Sequence, residues 1–316
     1  MRNTNTKLRL LAHAALAGWG IASNCPLFAQ TTNQPAIPTL EPVIVTGQRP
    51  SVHDVESESE RVGPANQPEW TTRRVFAETD VYVIPPGEIE FNQFYISSHP
   101  REGKAGNLFE SEFEFGLPWR TQFDLETNYR MQNGSLQYDS TLVELPHALA
   151  DWGKIPLNPT INGGWIFKND DADSYFVGLL LADEFGERLH FGANLSYGHQ
   201  IASDHETVYE LNAALNYVVI DSKLSVGGEF LVEYETEEEE NGSVVEKDYT
   251  TTVMLGPSVL YRPTRNTFVG LTSFFGLTHD SPIAEVFINF GVDWEPFAGK
   301  SSASNEDQVR PIRRYR

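Results

Sequence analysis

Phe109-Glu110-Ser111-Glu112-Phe113-Glu114-Phe115-Gly116-Leu117-Pro118-Trp119 decides the fold. Its odd positions are almost all apolar, and its even positions carry three glutamates before Gly116 and Pro118. Side chains alternate across a strand with period two, so this run is a strand with one apolar and one charged face. The same alternation recurs on both sides of it. In 123–132, Phe123, Leu125, Thr127, Tyr129 and Met131 oppose Asp124, Glu126, Asn128, Arg130 and Gln132. In 188–198, Leu189, Phe191, Ala193, Leu195 and Tyr197 oppose Arg188, His190, Asn194 and Ser196. In 284–294, Ala284, Val286, Ile288, Phe290, Val292 and Trp294 oppose Glu285, Asn289 and Asp293.

Extending the pattern gives twelve runs, near 88–98, 107–119, 121–132, 135–146, 158–168, 174–184, 188–199, 207–219, 223–235, 249–262, 267–278 and 284–294. Most have about the ten residues that a tilted strand needs to cross a bilayer. Short connections such as 185–188, 220–223 and 262–267 alternate with more polar ones such as 100–107, 201–206 and 235–248. The stretch 151–159 breaks this rule, being long on the short-turn side. Aromatic residues mark run ends on the apolar face: Trp119, Tyr129, Tyr197, Tyr217, Tyr234, Tyr261 and Trp294. Such residues form interfacial girdles in membrane proteins. These features predict an all-β chain, an antiparallel transmembrane β-barrel of about 12 strands with disordered periplasmic tails at both ends. A soluble sandwich would also alternate, but it would leave the charged, Gly-rich face to solvent over some 200 residues.

The flanks fit export. Arg2, Lys7 and Arg9 precede an apolar stretch from Leu10 to Ala22, with small residues leading to Ala29. This is the layout of a signal peptide, and the stretch is too short for a spanning helix. The expected organisation is a signal peptide over 1–29, a flexible periplasmic tether over 30–86, the barrel over 87–295 and a basic tail over 296–316. The single cysteine, Cys25, precedes the expected cleavage point, and Asn24 before it disfavours lipidation. The mature chain then has no disulfide and no thiol-based metal site. The chain carries a net charge of −21, deepening to about −24 without its signal region, which argues against nucleic-acid partners. No cofactor or metal is expected. The acidic run Glu233, Glu235 and 237–240 reads as a solvated loop, because it lacks the spaced ligands of a calcium loop. An enzyme is not expected: His190, Asn194 and Ser196 share one strand, but His190 and Ser196 stand about 20 Å apart.

The polar face supplies the candidate pore lining: Glu90, Glu110, Glu112, Glu114, Asp124, Glu126, Arg130, Arg188, His190, Glu210, Glu229 and Glu285. Glu88, Glu233, Asp293 and Arg262 share that face. Rings of carboxylates favour cations, and low-dielectric walls strengthen the effect. The expected function is a channel for small cationic or neutral polar solutes, the alternative a plugged barrel that recruits partners by its loops or tether. Expected partners are the lipid bilayer with lipopolysaccharide, small solutes and the barrel-assembly machinery.

Two resemblances add to this reading. Glu41-Pro42-Val43-Ile44-Val45-Thr46-Gly47 resembles the TonB box of outer-membrane receptors. It implies that Glu41, Val43, Ile44, Val45 and Thr46 engage a TonB-like periplasmic protein by strand addition. The receptors that carry such a box have 22 strands and a plug domain, more than this chain can supply. The region 88–294, through Phe115-Gly116-Leu117-Pro118-Trp119-Arg120, the stretch from Glu144 to Thr160, and Phe191-Gly192-Ala193-Asn194-Leu195, resembles the porin-like outer-membrane proteins grouped with the MetA pathway of phenol degradation. That resemblance implies a twelve-stranded barrel and uptake of small, aromatic or hydrophobic solutes.

Overall fold

The computed structural model describes residues 57–296 apart from 133, 203, 204, 242 and 243. The expected signal peptide, the TonB-box-like segment and nearly all of the basic tail lie outside the described residues.

Twelve antiparallel strands form the wall. They are β1 (Ile89–His99), β2 (Gly106–Leu117), β3 (Thr121–Gln132), β4 (Ser135–Glu144), β5 (Thr160–Lys168) and β6 (Ser174–Phe185). β7 (Leu189–Gln200), β8 (His205–Ile220), β9 (Leu224–Asn241), β10 (Val244–Thr264), β11 (Thr267–Gly276) and β12 (Ala284–Trp294) complete it. Each pairs with its neighbour in sequence, and β12 returns to β1, with Trp294 opposite Ile89 and Ala284 opposite His99. Closure removes the sheet edges, as a strand structure in hydrocarbon must.

The alternation has the sense of a membrane barrel. Leu125, Val177, Leu215, Leu255, Leu271, Ile288 and Phe290 are exposed on the outer surface, while Glu90, Glu112, Glu114, Asp124 and Glu229 are buried inside. A soluble sandwich would bury the first set. An apolar exterior with a polar interior is the membrane arrangement. Trp165, Tyr175, Tyr197, Tyr209, Tyr234 and Tyr249, on the outer face of β5 to β10, stand ring beside ring with centroids 5.5–6.5 Å apart. Tight turns join strands at the end where β1 begins and β12 finishes, which is periplasmic in such barrels.

Two connections differ from the sequence reading. The acidic run is not an irregular loop. β9 and β10 stay paired past the other strands to Asn241 and Val244, with Glu238 opposite Lys247 and ion-paired to it. The long periplasmic connection is ordered and has a structural task. β4 breaks at Pro146, which has no N–H to give the ladder. The chain then rejoins the wall at His147–Ala148, opposite Thr121 on one side and Thr160 and Ile161 on the other. The remainder, through Trp152, folds across the periplasmic mouth.

What it folds against is the larger finding. The sequence reading runs a flexible tether to residue 86, but residues 57–86 enter the barrel. Arg61–Val62 pairs with Gln67–Pro68, and a short 3-10 turn spans Glu69–Thr72. The chain then climbs and returns to the wall near Gly116. Trp70, Phe76, Val81, Tyr82, Val83 and Ile84 are buried. Trp152 packs edge-on against Trp70 (5.9 Å) and Tyr82 (5.3 Å), its amide donates to the Ala65 carbonyl, and the Tyr82 hydroxyl donates to the Ala150 carbonyl. The 151–159 stretch is thus a latch over the lumen plug.

Candidate functional site: the plugged lumen

An irregular segment inside a barrel must find partners for its backbone amides. The wall supplies them through side chains. Buried Glu229 on β9 accepts from the amides of Ala77 (3.0 Å) and Glu78 (3.1 Å) and from the Thr272 hydroxyl. Glu90 accepts from the Arg74 amide at 2.9 Å, and Gln122 accepts from the Ile84 amide at 2.7 Å. Asn212 donates to the Glu78 carbonyl at 3.0 Å. So two wall carboxylates read from the sequence as pore lining, Glu90 and Glu229, are in this state acceptors for the plug.

Cations of the plug and of the periplasmic rim add ion pairs. Arg262 on β10 meets Glu69 at 3.1 Å and Glu58 at 3.5 Å. Arg73 pairs with Glu69 and stands 3.9 Å from Asp293. Burial opposes the charge on Arg73, but Glu69, Asp293 and Glu58 outweigh it and raise its pKa. Arg61 pairs with Glu184, and Arg74 with Asp80. His190 lies flat against Trp70, centroids 4.3 Å apart. A polar cavity of about 30 Å³ remains between plug and wall, bordered by Arg74, Asp80, Glu112, Glu114, Asp124 and Glu144. That is room for no more than a few waters.

Glu90, Glu112, Glu114, Asp124, His190, Glu210, Glu229 and Glu285 are buried and face inward. Glu110, Glu126 and Arg130 share the inward face and are less buried, Arg130 pairing with Asp139 at 2.8 Å. Arg188 is a correction. It is exposed in the turn between β6 and β7, because the chain reverses through Gly186 (φ +70°) and β7 begins only at Leu189. The sequence reading missed the plug residues that meet the wall, Glu69, Arg73, Arg74 and Asp80. It also missed the amides that spread the acidic charge: Asn92 bonds to Glu90, Glu112 and Glu114, and Gln122 to Glu114. Phe94, Leu231, Met254, Phe274 and Phe287 are buried apolar residues on the same inward face.

Two consequences are measurable. A Cβ on Gly116 would lie 1.9 Å from the Pro85 carbonyl oxygen. Gly116→Ala is therefore expected to push the returning segment of the plug, at Ile84 and Pro85, off the wall. Hydrogen exchange at Gly87, whose amide donates to the Gly116 carbonyl, should accelerate while the barrel stays folded. The second concerns Glu58, whose pKa burial raises against the pull of Arg73. The docked carboxyl binds its proton more tightly than the undocked one, so its contribution favours docking at low pH and is lost as pH rises above the ordinary carboxylate range. Glu58→Gln should flatten that part of the pH dependence of Trp70 fluorescence.

Closed strands, an apolar outer belt and a charged interior define a bacterial outer-membrane β-barrel, here with its lumen filled from within. Among solved structures, an outer-membrane channel from Pseudomonas putida F1 superposes with a TM-score of 0.53 at 9% identity, covering 70% of this chain and 100% of that one. The NanC porin gives 0.45 at 12% identity, covering 65% of this chain and 98% of that one. The first likeness establishes a shared fold. No protein-family model matches the chain, and no curated protein matches it.

Proposed function

We propose that this chain is an outer-membrane channel for small cationic or neutral polar solutes, closed at rest by its own residues 57–86. The observation that carries this is the surplus of carboxylates on the inner wall: Glu110, Glu112, Glu114, Asp124, Glu126 and Glu144 line one side, where Arg74 is the plug cation they face. Once the plug withdraws, these groups form a carboxylate-lined passage, which attracts cations and repels anions. Arg130, His190, Glu90, Glu210, Glu229 and Glu285 complete the lining. Uptake of small aromatic or hydrophobic solutes, implied by the family resemblance, fits best where such a solute carries a positive charge.

Opening requires work on the plug. The TonB-box-like segment at Glu41, Val43, Ile44, Val45 and Thr46 ends about ten residues before Ser57, where the plug meets Asp221 at the periplasmic rim. A periplasmic TonB-like protein adding a strand there would pull on the plug from its entry side. Deleting 40–47 should abolish solute uptake in cells while leaving barrel insertion intact; uptake indifferent to the deletion removes this part.

The channel is tested by single-channel current of the full chain in a salt gradient. Rare openings with a cation-selective reversal potential are expected. Substituting Glu112, Glu114 and Glu126 by Gln should move that potential toward zero. An unchanged potential would remove these residues from the conduction path. The filled lumen also favours a second reading, a non-conducting barrel that recruits partners through its loops or tether; a folded barrel that stays silent under all conditions supports it.

A further inference from the structure

The plug reports which chemistry the wall accepts. Arg74 enters a socket built by two wall strands. Its guanidinium carbon lies 5.3 Å from the centroid of Phe94 on β1, and its nearest nitrogen is 3.9 Å from Glu112 on β2. Phe94, Glu90, Glu112 and Glu114 are all buried. Asn92 donates to Glu90 at 2.8 Å, Glu114 at 3.1 Å and Glu112 at 3.4 Å, which fixes the carboxylates around the ring. The hydrogen bonds of the Arg74 head come from within the plug: the Nη1 that faces Glu112 donates to Asp80, and Nη2 donates to the Ala77 carbonyl at 3.3 Å, while Nε has no hydrogen-bond partner.

We propose that Phe94, Glu112 and Glu114 form a binding site for guanidinium-bearing solutes in the lumen, and that Arg74 occupies it at rest as a tethered stand-in for the solute. An aromatic face beside fixed carboxylates selects a planar, weakly hydrated cation over a compact, strongly hydrated one. Among the described residues no group of three His, Cys, Asp or Glu side chains is arranged to hold a metal ion. The site rests on the channel reading for its use in transport, although binding itself does not need current. It also couples solute to gate, since a solute in the socket displaces Arg74 and loosens the plug from inside.

The test is calorimetric titration of the full chain with methylguanidinium chloride. Arg74→Ala vacates the socket and should bind the probe saturably, whereas the parent chain, already occupied, should bind it at least tenfold more weakly. Adding Phe94→Leu or Glu112→Gln to Arg74→Ala should weaken binding about tenfold. No binding by a folded Arg74→Ala barrel, or binding indifferent to Phe94 and Glu112, overturns the site. Should Arg74→Ala not fold, the parent chain decides. Methylguanidinium should speed hydrogen exchange at the Ala77 and Glu78 amides relative to equal sodium chloride, and equal rates overturn the proposal. Binding without any current supports the socket and sinks the channel reading; cation current without binding does the reverse.

Discussion

Glu229→Ala is expected to release the apex of the plug. Its carboxylate is buried and accepts two plug amides and one wall hydroxyl. Hydrogen bonds to a charged acceptor contribute about 1.5–3 kcal/mol each, and an amide left unpaired in a buried site carries a further cost. Losing both amide bonds should weaken docking by about 3 kcal/mol or more, a factor above one hundred in the docked fraction. Hydrogen exchange at Ala77 and Glu78 reads this directly. Glu229→Gln keeps one acceptor oxygen and should fall between. Exchange rates unchanged in the alanine variant would mean that the plug apex is held by packing alone.

Arg262→Ala should act at the other end. Arg262 is buried on β10 and holds Glu58 and Glu69, both of the plug, with its other contact to the Arg265 carbonyl. Removing one member of a buried charge group costs up to about 3–5 kcal/mol; here Glu58 is left without its ion pair, while Glu69 keeps Arg73. The expected result is a barrel that still migrates as folded, with residues 57–72 open to protease from the periplasmic side. A simultaneous Glu58→Gln should restore part of the protection, since Glu58 is the carboxylate that loses its ion pair, whereas Glu69 keeps Arg73. If the single variant is as resistant as the parent chain, the ion pairs do not hold the plug.

The wall was legible in the sequence because most strands report their own alternation, the runs at 135–146, 158–168 and 267–278 least regularly. The run from Phe109 to Trp119 gives β2 within a few residues, and the twelve-run reading matches twelve strands in a closed ring. The parity rule placed eleven of the twelve candidate lining residues on the inward face; Arg188 escaped because it belongs to a turn, where parity has no meaning. The plug left no periodic trace. Trp70, Phe76 and Val81 to Ile84 follow no single period because only a short strand pair and one 3-10 turn are regular there, and several of its amides are satisfied by Glu229, Glu90 and Gln122 from distant parts of the chain. Its composition of Pro, Ser, Thr and Glu looks like that of a linker for the same reason: the apolar surface it needs is small, since the wall provides half of each contact. The latch at 151–159 was visible only as a connection too long for its side of the barrel. Its purpose depends on Trp152 meeting Trp70 and Tyr82, contacts that no local pattern encodes.

The inward acidic face differs from one level of the lumen to another. Glu90 and Glu229 mainly satisfy the plug, whereas Glu110 and Glu126 lie toward the outer half of the lumen and are less buried. The same residue type therefore holds the gate on one level and, on our reading, attracts the solute on another. Part of the acidic face is balanced without basic residues: Glu90 and Glu229 have backbone amides as partners, which a charge count does not reveal.

The central claim is that residues 57–86 close a passage that the wall would otherwise leave open. The most direct measurement is single-channel current from a chain lacking those residues beside the full chain, each first checked for the heat-modifiable migration of a folded barrel. The account expects the shortened chain to conduct steadily with a cation-selective reversal potential, and the full chain to be closed most of the time. A folded shortened chain as silent as the full one would contradict it, and would make residues 57–86 part of a solid core rather than a gate.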